Sequence, residues 1–216
     1  MKTKITNTTT NRLFAGRCSS AVGSAIRPLT SVFCLLTTLC LLATAPQAKA
    51  ATPPVIAVAA SYEHSLYVTS DGSLYAMGLN EYGELGDGTT TTRYTPVKVA
   101  TNVIAVAAGG DYWDYYGSHS LYVTSDGSLY AMGRNDSGEL GIGSSEGYRS
   151  TPVKVASNVI AVAAGQRHSL YVTNDGSLYA MGNNSSGQLG DGTTTDRSTP
   201  VKVASNVELV PKGRVF

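Results

Sequence analysis

From Val55 onward, short apolar runs alternate with clusters of Gly, Asn, Asp and Thr. His64–Thr69 and Ser73–Met77 are rich in Leu, Tyr and Val, the composition of strands. Asp71-Gly72 lies between them and predicts a two-residue hairpin turn with positive φ at both central positions. VIAVAA, at 55–60, has no helical period and reads as a strand buried on both faces. TPVKVA, at 95–100, sets Val97 and Val99 either side of Lys98, the alternation of a half-exposed outer strand. Pro96 is expected to open that strand, where a missing amide donor costs least. The stretch LNEYGELGDGTTTTRY before it reads as a loop. No stripe at i, i+3 and i+4 occurs, so the fold class is all-β with four antiparallel strands per unit.

The unit recurs. VIAVAA begins at Val55, Val103 and Val159, and TPVKVA at Thr95, Thr151 and Thr199. Between them lies HSLYVTSDGSLYAMG at 64–78 and 119–133, returning at 168–182 with Asn174 in place of Ser70 and Ser125. The repeats are thus 55–102, 103–158 and 159–206, with a partial fourth over 207–216. The middle one carries seven extra residues between Ala108 and His119. A four-stranded sheet this small cannot hide both faces alone, and stacking like sheets does so. Radial stacking gives a β-propeller, here incomplete, with three blades plus one partial.

The run VAAGxxHSLYVTxDGSLYAMGxNxxGQLGDG resembles the repeat of the regulator of chromosome condensation family. The resemblance covers 55–206 and implies β-propeller blades, in a family whose rings usually have seven. Three blades leave a bare side at each end. Several chains closing one ring, truncation of a longer array, or an open stack each answer this. The ending PKGRVF favours truncation, and so a gene product without independent function is one reading.

Residues 1–50 read differently. They hold six basic residues, no acid and all three cysteines, Cys18, Cys34 and Cys40. SVFCLLTTLCLLATA, at 31–45, is apolar, and Ala48-Lys49-Ala50 supplies small residues at the cleavage positions. This predicts a secretory signal peptide over 1–50, the alternative being an uncleaved anchor. A secreted or periplasmic location follows, with no membrane association after cleavage. Residues 51–216 carry 10 basic and 15 acidic residues, against the basic face of a nucleic-acid binder.

Candidate chemistry is sparse. His64, His119 and His168 occupy one repeat position and are expected to hydrogen-bond backbone rather than a shared metal. No zinc, calcium or nucleophile-elbow motif occurs, and no cofactor is expected. The residues that break the repeat are more informative. Tyr112, Trp113, Tyr115 and Tyr116 cluster in the middle insert beside Asp111 and Asp114. Tyr and Trp give large, stiff contact area at low entropic cost. Tyr62 and Arg167 fall in the equivalent loops of the other units. Together these eight form the candidate binding rim. Leu79–Tyr82, Arg134–Ser137 and Asn183–Ser186 follow the hairpin and are expected to decorate another edge.

A fixed frame with dissimilar loops suits recognition of an extracellular protein or glycan. The resemblance extends to a secreted propeller that inhibits β-lactamases through loop aromatics, which implies an enzyme inhibitor as an alternative. A guanine-nucleotide exchange factor and a glycan-active enzyme using Asp111 and Asp114 are lesser alternatives. The protein is expected not to be an enzyme, and self-association to complete a ring is a further expectation.

Overall fold

The structure, a computed structural model, describes residues 52–110 and 118–209. The segment 1–50, the insert residues Asp111, Tyr112, Trp113, Asp114, Tyr115 and Tyr116, and the last part of the fourth repeat lie outside the described residues.

The described residues hold twelve strands and no helix. The first unit gives β1 (Val55–Ala60), β2 (His64–Thr69), β3 (Leu74–Gly78) and β4 (Arg93–Ala100). The second gives β5 (Val103–Gly109), β6 (His119–Thr124), β7 (Leu129–Arg134) and β8 (Tyr148–Ala156). The third gives β9 (Val159–Ala164), β10 (His168–Thr173), β11 (Leu178–Gly182) and β12 (Arg197–Ala204). Each unit forms its own four-stranded antiparallel sheet, in chain order. The sheets are propeller blades, and three of them make an incomplete propeller.

The core lies between blades. Leu66, Val68, Leu74, Ala76 and Leu85 of the first blade pack against Val103, Tyr122 and Met132 of the second. Leu121, Val123, Leu129, Ala131 and Leu140 of the second pack against Val159, Tyr171 and Met181 of the third. Strand alternation explains this directly. Leu66 and Val68 point to one face, and Ser65 and Tyr67 to the other. On that second face, each cross-strand tyrosine pair stacks with ring centroids 5.0 Å apart, a geometry favourable beyond the area it buries.

Three local expectations are corrected. In the Asp71-Gly72 turn only the glycine has positive φ. Gly72 N donates to Thr69 O at 2.8 Å and Thr69 N to Ser73 O at 3.0 Å, so the connection is longer than two residues. Asp71 Oδ1 holds it by accepting from Thr69 Oγ1 at 2.6 Å and Ser73 N at 3.1 Å, a local side-chain bond that replaces the tight turn.

VIAVAA is not buried on both faces. The β1–β2 register skips Ile56, and the same skip recurs at Ile104 and Ile160. Each isoleucine sits at a bulge that turns it outward, and all three are exposed. Pro96, finally, lies inside β4 rather than opening it. The β3–β4 register jumps from Ala76↔Val97 to Gly78↔Arg93, and Pro96 falls in that irregular stretch of an edge strand, where no ladder bond is lost.

Candidate functional site

Hairpin register decides which loops meet. His64 pairs with Gly78, so the loop entering β2 and the loop leaving β3 emerge at the same end of the blade. Backbone bonds tie them together. Leu79 N donates to Glu63 O at 2.9 Å, Arg134 N to Ser118 O at 3.0 Å, and Asn183 N to Arg167 O at 2.8 Å. The expectation that Leu79–Tyr82, Arg134–Ser137 and Asn183–Ser186 decorate another edge is therefore wrong. Antiparallel return brings both variable loop sets to one rim.

That rim has a rigid base. In the β3–β4, β7–β8 and β11–β12 loops, Asn80, Asn135 and Asn184 are fully buried. Their Oδ1 atoms accept from Leu85 N at 2.9 Å, Leu140 N at 3.1 Å and Leu189 N at 3.0 Å. Their Nδ2 atoms donate across the loop to Thr89 O, Ser144 O and Thr193 O, each at 3.0 Å. Asp87 and Asp191 add ion pairs to Arg93 and Arg197, both at 2.6 Å. Hydrogen bonds hold both carboxylates below the usual range, burial partly opposing. Ile142 removes the pair from the middle blade, where Arg149 Nη1 donates to Tyr148 O at 2.9 Å instead.

Two groups of side chains, most of them non-repeating, sit on this base, one at each junction between blades. At the first, the Arg134 guanidinium lies 4.7 Å above the Tyr82 ring centre, a cation–π contact. Tyr148 meets Tyr82 edge-on at 6.3 Å, and Arg134 is also ion-paired with Asp136. At the second, Arg134, Asp136, Ser137 and Glu139 of the middle blade and Arg167 of the third line a polar depression of about 190 Å³. Of the sequence-predicted residues, Arg167 thus joins a site, and Tyr62 is exposed in the first blade's β1–β2 loop. Tyr82, Arg134 and Tyr148 belong to the rim although sequence reasoning did not place them there. Their signal was present, because each departs from the repeat.

Beneath the rim, Glu84 and Glu139 are buried. Glu84 Oε2 accepts from Tyr82 N at 2.9 Å, and Glu139 Oε2 from Ser137 N at 2.8 Å. Burial outweighs these bonds and pushes each carboxyl up to about 7. The shared position and shared bond make them parts of the frame, not of a rim that differs from blade to blade.

The histidines are frame as well. His64 Nε2 donates to Ser120 Oγ at 2.8 Å, and Ser120 Oγ donates to Glu84 O at 2.8 Å. His119 Nε2 donates to Ser169 Oγ at 2.9 Å, which donates to Glu139 O at 2.7 Å. The partner is the next blade's serine, not the backbone that the sequence suggested; the hydroxyl relays the bond to backbone. Ser61 Oγ donates to His64 Nδ1 at 2.6 Å and completes one neutral tautomer. Burial lowers His64 to about 4 and His119 to about 3. Among the described residues no three His, Cys, Asp or Glu side chains converge in a metal-binding group.

The sequence profile described as the regulator of chromosome condensation (RCC1) repeat matches residues 71–112, 126–172 and 175–212, and a second profile of that description matches 55–84 and 159–188. The human E3 ubiquitin-protein ligase HERC2 is 39% identical over 94 residues, 42% of this chain and 2% of that protein. The Arabidopsis thaliana ultraviolet-B receptor UVR8 is 35% identical over 113 residues, 50% of this chain and 24% of that protein. Among solved structures, human WBSCR16 superposes with a TM-score of 0.59 at 28% identity, over 69% of this chain and 39% of that one. Prp20p of Saccharomyces cerevisiae gives 0.57 at 25% identity, over 70% and 39%. The chain thus spans a quarter or less of these two sequence relatives and about two fifths of these structures. With its repeats matched in sequence and its blades matched in space, the chain belongs to the regulator of chromosome condensation (RCC1) repeat family.

Proposed function

We propose that the chain is a binding module that holds a protein partner on the loop rim, acting without turnover. One observation carries this reading: both variable loop sets emerge at a single rim, over a frame fixed by repeated Asn, Asp and Ser bonds. Side chains that break the repeat collect there. Tyr82, Arg134 and Tyr148 form one aromatic and cationic group, and Tyr and Arg dominate binding hot spots. The mixed charges around Arg167 suit a polar protein surface. The apolar run 31–45 and Ala48-Lys49-Ala50 support action outside the cytoplasm. An extracellular enzyme held inhibited by loop aromatics is the finer form of the same reading.

The test is affinity capture from an extracellular or periplasmic fraction, using wild type and two rim variants. One variant is Tyr82→Ala with Tyr148→Ala; the other replaces Tyr112–Tyr116 by Gly and Ser. The same protein should be retained by wild type and lost from both variants, with melting temperatures nearly unchanged. Equal capture by all three would refute a rim site.

A further inference from the structure

The two junctions between blades are built from the same contacts, and the described residues leave one half of that set bare at each end. From a blade to the next, the leading blade gives its histidine, a backbone carbonyl and three loop glycines. The following blade gives a serine, a methionine and the start of its outer strand. Thus His64 and His119 reach Ser120 and Ser169. Gly86 and Gly141 lie against Met132 and Met181. Gly83 and Gly138 press on Ser150 and Ser198 so closely that a Cβ on either glycine would fall 2.3 or 2.5 Å from the serine Cα. Gly88 N donates to Ser150 O at 2.9 Å and Gly143 N to Ser198 O at 2.8 Å.

The first blade's outer face carries the following half, in Ser65 and Met77, with Val58 beside them. The third blade's outer face carries the leading half, in His168, Gly187, Gly190 and Gly192. Burial shows that, among the described residues, neither half is filled. Ser120, Ser169, Met132 and Met181 are fully buried, whereas Ser65 and Met77 are half-exposed. Leu66 and Leu121 are buried, whereas Leu170 is half-exposed. Ala107 is 8% exposed, and its counterpart Ala163 is exposed. Each face holds an apolar hollow, of about 410 Å³ on the first blade and about 240 Å³ on the third. Leu209 covers only part of the latter, itself remaining 46% exposed.

We propose that the first-blade face of one copy of this chain docks on the third-blade face of a second copy, head to tail, in the register of the internal junctions. His168 of one copy then donates to Ser65 of the other, whose hydroxyl donates to the Gln188 carbonyl. Gly190 rests on Met77, and Gly192 N donates to Tyr94 O. A second copy is the occupant because each face carries what the other lacks: the serine face has neither the histidine nor the glycine loop that both internal junctions use. Such a contact is heterologous in symmetry. Two copies supply six blades, inside the range of about four to eight that propellers typically use. One position is altered in the new junction. Tyr94, 95% exposed, stands where Ser150 and Ser198 accept a glycine loop, so its ring must swing outward and weakens the contact.

The test uses the full chain and analytical ultracentrifugation. Val58→Arg blocks the first-blade face and Ala163→Arg the third-blade face. Both side chains are exposed in the single chain, so both variants should fold, which circular dichroism checks. Wild type should sediment above monomer mass, and each variant alone as a monomer. An equimolar mixture of the two should return to dimer mass, because each contributes its intact face. Tyr94→Ser should lower the concentration of half-association. Wild type at monomer mass would overturn the proposal. Variants that still associate, or a mixture that stays monomeric, would overturn it equally. Failure here leaves the rim reading untouched, since the rim residues Tyr82, Arg134 and Tyr148 are not substituted.

Discussion

The buried Glu84 carboxyl makes a sharp prediction about pH. Its side chain is fully buried, and burial lifts it from the ordinary 4.5 to about 7. The folded state therefore holds the proton more tightly than the unfolded chain does. Stability from this group is complete below the unfolded value near 4.5 and is lost as pH rises through about 7. At roughly 1.4 kcal/mol per pH unit, that displacement amounts to about 3 kcal/mol. Glu84→Gln removes the titration and keeps the acceptor. The third blade already uses this solution, with Gln188 Oε1 accepting from Ser186 N at 2.9 Å. The assay is urea unfolding of wild type and variant at several values between about pH 4.5 and about pH 8.5. The variant's stability relative to wild type should climb by about 3 kcal/mol across that range. Any fixed cost of the amide is independent of pH and drops out of the slope. His64 and His119 act in the opposite sense. Their lowered values make stability fall as pH drops below 6.5, but equally in both proteins. A difference that stays flat with pH would refute the claim that Glu84 is buried at a cost.

Other outcomes follow from the junctions. Leu121→Ala empties a fully buried site between blades and should cost about 2–5 kcal/mol in denaturant unfolding. Ser169→Ala strands His119 Nε2 and Glu139 O, and should cost about 1–3 kcal/mol in the same measurement. Gly83→Ala forces a Cβ into the Ser150 backbone and should lower the melting point far more than Gly147→Ala. Gly147 has positive φ but nothing within 4 Å, so its cost is backbone strain of about 1–2 kcal/mol. Equal effects of the two glycine changes would mean that the blades are not in contact there.

Much of this was written locally. The Leu, Tyr and Val content of HSLYVT and SLYAMG marks them as strands, and the face of each residue then follows, because a side chain's direction in a strand depends only on its parity. Recurrence of those strings at 64, 119 and 168 fixed the number of blades, and the family signature lay in the same strings. Where local pattern misled, a side chain or a bulge intervened. Asp71 bonds its own turn, and Ile56 drops out of register. Neither leaves a mark on hydropathy.

The arrangement between elements came from tertiary structure alone. Tyr82 reaches Arg134 and Tyr148 because antiparallel pairing returns two loops to one rim and stacking sets neighbouring rims side by side. His64 finds Ser120, 56 positions away, and Ser120 Oγ in turn donates to the Glu84 carbonyl of the preceding blade. A sequence states what each strand offers on its two faces. Which surface meets that face is decided only when sheets stack, since burial, and every bond or pKa that burial governs, belongs to the pair of surfaces and not to either one.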